Sequence, residues 1–258
     1  MSGVIPENQR EQAQGEDRQM TLRRAPFAAL DNILGQTQHL LISFDGPVCS
    51  LFTGTAVARV ADNLREVFGQ EGAHVPEAIE HTGNWLEILS CAASISPDLA
   101  VRVESKLSAM ESAAVVTAAP APYVHDVLTA CRDSGRSVAI ISNHSEAAVR
   151  AYLTLHDLSG QISFVAARTG PDAATLKPRV NLIELAVSGL GAELSACALV
   201  GGSPTDVQAA HAAEVNSIGY AETSHDVDRL VDAGADTIIV SIADLALRLR
   251  ARPSDSEL

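Results

Sequence analysis

The residues of this chain that could do chemistry fall in four short stretches. The first is Ser43-Phe44-Asp45-Gly46, which closes the apolar run His39-Leu40-Leu41-Ile42. The second is Ser142-Asn143-His144, the third is Lys177, and the fourth is Gly201-Gly202-Ser203-Pro204-Thr205-Asp206. A serine hydroxyl becomes a nucleophile when a neighbouring base removes its proton, and Ser43 is such a hydroxyl. Asp45 can serve as general acid and base, and His144 is a candidate base beside Ser142. Lys177 and the backbone N–H groups after Ser142 and around Gly202 and Ser203 suit a bound anion. Each residue also has an ordinary structural use. Asp45 can bond within the Gly46-Pro47 turn, and Ser142 and Asn143 can cap a helix starting near Ser145. Asp206 can favour the start of the next helix, His144 can be a partly exposed loop histidine, and Lys177 can lie on the surface. Trp85, a lone tryptophan, is expected in a core.

These stretches need elements to carry them to one place. Each apolar run is short and ends in small or polar residues, the pattern of a buried parallel strand. Strands are expected at 39–43, 137–141, near 162–166, at 197–200, at 217–219 and at 237–240, alternating with helices. Between the first two strands, Thr55 to Phe68 places Val57, Val60, Ala61, Leu64, Val67 and Phe68 on one helical face. Helical pieces follow at Trp85–Leu89, Asp98–Leu107 and Ala109–Val116, with no strand alternation. Pro122 is expected to open a helix that Gly135 ends, and Lys177-Pro178 to open a helix over 179–190 with Leu182, Leu185, Ala186 and Leu190 inward. The pattern predicts an α/β doubly wound parallel sheet with a small inserted α-helical block. The expected division is an extension over 1–37, disordered or helical, a core of 38–54 with 119–258, and a helical block over 55–118. In such sheets, ligands bind at the carboxyl edge of the strands, where all four stretches would lie.

Composition narrows the function further. The 258 residues are 47% hydrophobic and only 3% aromatic, so the core must rest on Ala, Val, Leu and Ile. A net charge of −14 argues against a nucleic-acid partner held by a basic field. Cys49, Cys91, Cys131 and Cys197 form no C-x-x-C pair, so reduced, buried thiols are expected. No apolar run approaches a membrane span and the polar N-terminus is not a signal peptide, so a cytoplasmic protein without membrane contact is expected.

The order and spacing of the four stretches resemble the haloacid dehalogenase superfamily, mostly phosphatases with a Rossmann-like core. The resemblance covers about residues 38–250, and the helical block matches the cap that some members insert. The family's motifs are D-x-D-G-[TV], a Ser or Thr after an apolar strand, a Lys, and G-D-x-x-x-D. The resemblance implies that the first Asp attacks phosphorus, and here that position is Ser43. It implies an acid/base role for Asp45, phosphate binding for Ser142 and charge balance for Lys177. It further implies Mg²⁺ held by two acidic residues of the fourth motif and a backbone carbonyl at the Asp45 position. Gly202 stands at the first acidic position and Asp206 at the second.

Mg²⁺ wants oxygen ligands in near-octahedral geometry, so with two carboxylates missing it should bind weakly if at all, and no cofactor is expected. Three readings stay open. The chain can be a retired phosphatase fold that binds a small anionic or phosphorylated ligand or a protein partner. It can be an enzyme with a rebuilt metal-free site using Ser43 and Asp45. It can be a weak Mg²⁺-dependent phosphomonoesterase.

Overall fold

A computed structural model describes residues 27–53 and 55–251. The expected disorder or helix over residues 1–26 lies outside the described residues. A first helix, α1, covers residues 27–36 and leads into strand β1, His39–Ser43. Helices α2 (Thr55–Gln70), α3 (Glu77–Glu80), α4 (Trp85–Ile95) and α5 (Pro97–Val115) follow, and α6 (Val124–Asp133) returns the chain to β2 (Ser137–Ser145). Then come α7 (Glu146–Leu155), β3 (Phe164–Arg168), α8 (Asn181–Leu190), β4 (Cys197–Gly201) and α9 (Pro204–Ala212). The chain closes with β5 (Asn216–Tyr220), α10 (Ser224–Asp232), β6 (Thr237–Ile239) and α11 (Ile242–Arg250).

The six strands form one parallel sheet in the order β3-β2-β1-β4-β5-β6. This is the doubly wound α/β architecture expected from the alternation of apolar runs. Side chains alternate across the pleat. Leu40 and Ile42 pack with Leu34, Leu128, Tyr152 and Leu249 on one face, whereas Leu41 packs with Ile183, Ala186 and Ala210 on the other. Burial on both faces explains why these strands read as unbroken apolar runs. Register fixes the working edge: Ser43 pairs with Ile141 and Ile42 with Val200, so Ser142 and Gly201 emerge beside Ser43. Strand order reverses between β1 and β4, and the crevice at such a switch point is the usual ligand site.

Helices α2 to α5 build a separate apolar cluster from Val60, Leu64, Phe68, Ile88, Leu89, Val103 and Leu107. Several local expectations need correction. The pieces expected at 98–107 and 109–116 are one helix, α5, because nothing between Leu107 and Ala109 breaks it. Helix α6 begins at Val124 rather than Pro122, after Tyr123 takes a left-handed φ of 66°. Helix α8 begins at Asn181 rather than 179, with Leu185 on its exposed side. Val57 also faces solvent. Strand β2 runs on to Ser145, and Ser145 itself, not Ser142 or Asn143, caps α7 by accepting from the Ala148 N–H.

Leu64 is fully buried in the cluster of the inserted helices. Leu64→Ala should cost about 2–5 kcal/mol, the usual range for a core cavity of this size. Urea denaturation monitored by circular dichroism checks this, and a loss below about 1 kcal/mol would show that the cluster is not a packed core.

Candidate active site at the sheet edge

A cavity of about 440 Å³ opens at the carboxyl edge, and all ten candidate residues line it: Ser43, Asp45, Gly46, Ser142, Asn143, His144, Lys177, Gly202, Ser203 and Asp206. Asn84, Trp85 and Leu86 of the inserted block and Tyr220, Glu222, Asp226 and Arg229 of the core complete its wall. A second cavity of about 650 Å³ adjoins it, sharing Gly46, Ser50 and Glu222, with Leu51, Phe52, Val60 and Met110 among its apolar lining.

Lys177 is buried rather than exposed. Its Nζ donates to Ser43 Oγ at 2.9 Å and to Asp206 Oδ1 at 2.5 Å. Asn143 places it from the backbone side, accepting from the Lys177 N–H at 2.9 Å and donating to the Lys177 carbonyl at 3.0 Å. The Asn143 side chain thus positions Lys177 through one donor and one acceptor. Asp206 is the third helical residue of α9 and closes a capping box with Ser203, whose N–H and hydroxyl both donate to Oδ2 at 3.0 and 2.7 Å. Both its oxygens thus carry donors. A Cβ at Gly201 would lie 2.3 Å from Asp206 Cβ, so only glycine lets Asp206 come this close to the strand. At Gly202, by contrast, a Cβ would make ordinary contacts of 3.6 Å with the Asp45 and Tyr220 carbonyl oxygens.

Asp45 and His144 form the other half of the site. The Asp45 side chain is 58% exposed to the cavity, and its Oδ1 accepts from the Leu51 N–H at 3.2 Å. His144 Nε2 lies 3.9 Å from that same oxygen, an ion-pair distance beyond hydrogen-bond length. His144 is only 4% exposed, so the expected loop histidine is instead a buried ring at the end of β2. Its Nδ1 meets Glu111 Oε1 at 3.0 Å, and its backbone N–H donates to Ser142 Oγ at 3.0 Å. Trp85 stacks on the ring at 5.6 Å between centroids, so it is a wall of the cavity as well as a packing residue.

Burial alone would lower the His144 pKa, but the carboxylates of Asp45 and Glu111 outweigh it and raise it to about 9. Burial likewise opposes ionisation of Asp45 and Glu111, yet His144 holds both below the ordinary carboxylate range. An imidazolium thus faces the cavity at neutral pH.

The residues present do not fit Mg²⁺. The one remaining carboxylate of the fourth motif, Asp206, has both oxygens engaged by Lys177 and Ser203, and the ammonium stands between it and Ser43. Among the described residues, no group of three or more His, Cys, Asp or Glu could hold a metal ion. Ser43 also lacks a base: among the described residues its hydroxyl is engaged only by the Lys177 ammonium, a donor.

Glu111, Arg168 and Arg229 escaped the sequence reading. Glu104, Ser108 and Glu111 recur at i, i+4 and i+7 of a helix, a polar stripe that reads as a solvated face until a buried partner is known.

A six-stranded parallel sheet with its cavity at the switch point and helices between the first two strands defines a Rossmann-like α/β protein. The model of the haloacid dehalogenase-like hydrolases matches residues 55–220, and the chain belongs to that family. It is 30% identical over 136 residues to phosphoglycolate phosphatases of Salmonella paratyphi A and Salmonella typhimurium, covering 53% of this chain and 53% of each relative. The chain therefore matches about half the length of these curated relatives. Among solved structures, a predicted phosphatase from Clostridium acetobutylicum superposes with a TM-score of 0.65 at 13% identity, covering 84% of this chain and 99% of that one. A haloacid dehalogenase-like hydrolase from Bacteroides fragilis gives 0.63 at 19%, covering 81% and 99%. Among the described residues, no helix is long and apolar enough to cross a membrane.

Because the folded-state pKa of His144 is raised from 6.5 to about 9, its charge contributes stability that is complete below pH 6.5 and is lost as pH rises through about 9. Melting temperature should fall across that window in the wild type, and His144→Gln should flatten the fall. Parallel curves for the two proteins would contradict the charged-imidazole assignment.

Proposed function

We propose that this chain is a haloacid dehalogenase-fold protein that binds a small phosphorylated or otherwise anionic ligand at the sheet edge, without forming an aspartyl-phosphate and without Mg²⁺. The observation that carries the reading is the Lys177 ammonium held between Ser43 Oγ at 2.9 Å and Asp206 Oδ1 at 2.5 Å. It joins a neutral hydroxyl to the one remaining carboxylate of the fourth motif, where the family's chemistry needs a nucleophilic carboxylate and a cation with open oxygen ligands. The cavity of about 440 Å³ has the size of a small-molecule site. His144 supplies positive charge, and the Ser43, Ser142 and Thr205 side chains supply hydroxyl groups. The adjoining apolar cavity gives room for an uncharged part of the ligand.

A second reading, a metal-free hydrolase, has one observation in its favour: Asp45 is ionised, half-exposed to the cavity and backed by His144. In that case Asp45 would take a proton from water rather than from Ser43, whose hydroxyl already meets a donor.

The test is a thermal-shift titration with inorganic phosphate in EDTA. A ligand that binds only the folded state at a hundred times its Kd adds about 2.7 kcal/mol, so stabilisation of several degrees that grows with the logarithm of phosphate concentration is expected. His144→Gln should weaken phosphate about tenfold, the effect of losing one charge-assisted contact. No phosphate-dependent stabilisation in EDTA would contradict the proposal.

A further inference from the structure

Helix α5 belongs to the inserted block, yet one of its side chains is wholly buried at the sheet edge. Glu111 Oε2 accepts from Arg168 Nη2 at 2.7 Å and from the Ser145 N–H at 2.9 Å, while Oε1 meets His144 Nδ1 at 3.0 Å. Arg168, at the end of β3, also donates to the Asn143 carbonyl at 3.0 Å and pairs with Glu104, one helical turn pair before Glu111. From α4, the Trp85 ring stacks on His144 and lies 5.9 Å beneath the Arg168 guanidinium. The inserted helices thus contribute two carboxylates and an aromatic ring, and the sheet contributes a guanidinium and an imidazole.

A buried charge left without its partner is costly, so each group in such a cluster fixes the others in place. The ring of His144 has two nitrogens, and the bond made by one decides what the other can do. With Nδ1 held by Glu111, Nε2 is the atom turned toward Asp45 and the cavity.

We propose that Glu111 is a positioning residue: from the inserted helices it fixes the His144 ring with Nε2 presented to the anion cavity, so the ligand site is complete only when those helices are seated on the sheet edge. The inference rests on the reading that the cavity takes an anion. It adds to that reading a residue outside the four motifs, and a reason for Trp85, Glu104 and Arg168 to stand where they do.

The experiment has two arms on the full chain. In the first, calorimetric titration of inorganic phosphate in EDTA compares the wild type with Glu111→Gln, His144→Gln and the double variant. Each single change should weaken phosphate about tenfold, and the double variant should bind no more weakly than His144→Gln, because Glu111 acts through the ring. Unchanged affinity in Glu111→Gln, or a multiplied loss in the double variant, would overturn the proposal. In the second arm, hydrogen exchange without phosphate should be faster throughout α4 and α5 of Glu111→Gln while β1 and β4 keep their wild-type protection. Unchanged helices, or strands accelerated as much as the helices, would overturn it. Should Glu111→Gln fail to fold, Glu111→Asp, which keeps the charge but shortens the reach to His144 Nδ1, serves in both arms with the same expectations. A wild type that does not bind phosphate would defeat the ligand reading, and the exchange arm would still decide whether Glu111 seats the helices.

Discussion

A buried ammonium must be neutralised where it lies, and the pairing of Lys177 with Asp206 is the constraint around which this edge is built. Taking either partner away would leave a buried charge, at a cost of about 3–5 kcal/mol. Several neighbouring choices serve that pair. Gly201 keeps space for Asp206, Ser203 binds its second oxygen, and Asn143 holds the Lys177 backbone through both atoms of its amide. Ser43 Oγ accepts a hydrogen bond from a further N–H of the ammonium, which a neutral hydroxyl can do without adding charge. The donors that a sequence reading assigns to an anion cradle are thus partly engaged. Ser203 N–H goes to Asp206, His144 N–H to Ser142 and Ser145 N–H to Glu111. On the proposed reading, what remains for a ligand is side-chain chemistry, chiefly the ring of His144 and the cavity hydroxyls.

The second cluster, of His144, Glu111, Arg168 and Glu104, balances its own charges in the same way, two carboxylates against a guanidinium and an imidazolium. The two clusters meet across the cavity, where Asp45 lies open to solvent. On the proposed reading this site, with a lysine–aspartate pair on one wall and a buried imidazolium on the other, takes an anion beside the open Asp45 carboxylate. It is poorly suited to a metal ion, whose charge would compete with both cations.

Much of this was legible before any coordinates. The strands announce themselves because a parallel sheet covered on both faces needs unbroken runs such as Leu40-Leu41-Ile42 and Val138-Ala139-Ile140-Ile141. Their polar ends could be placed on one edge, and all ten candidate residues do line one cavity. Local propensity failed where tertiary packing decides. Leu185 and Val57 satisfy a helical stripe yet face solvent, and Tyr123 delays α6 through a backbone conformation that its residue type does not advertise. Glu111 and Arg168 were illegible for a different reason. Each is an unremarked charged residue until its partner, 57 positions away in sequence, is brought against it. Sequence spacing reveals partners within a helix or strand, and cannot reveal a charge pair made across an insertion.

The central proposal is that Ser43 and Gly202 remove phosphoryl transfer from a scaffold that has room for a Cβ at position 202. The most direct measurement is hydrolysis of a generic phosphomonoester by the wild type and by Ser43→Asp/Gly202→Asp, each with Mg²⁺ and with EDTA. The account predicts a wild type no faster than Ser43→Ala under either condition, and Mg²⁺-dependent turnover in the double variant. Wild-type turnover that EDTA abolishes would contradict it, because Asp206 would then be holding a metal ion rather than Lys177.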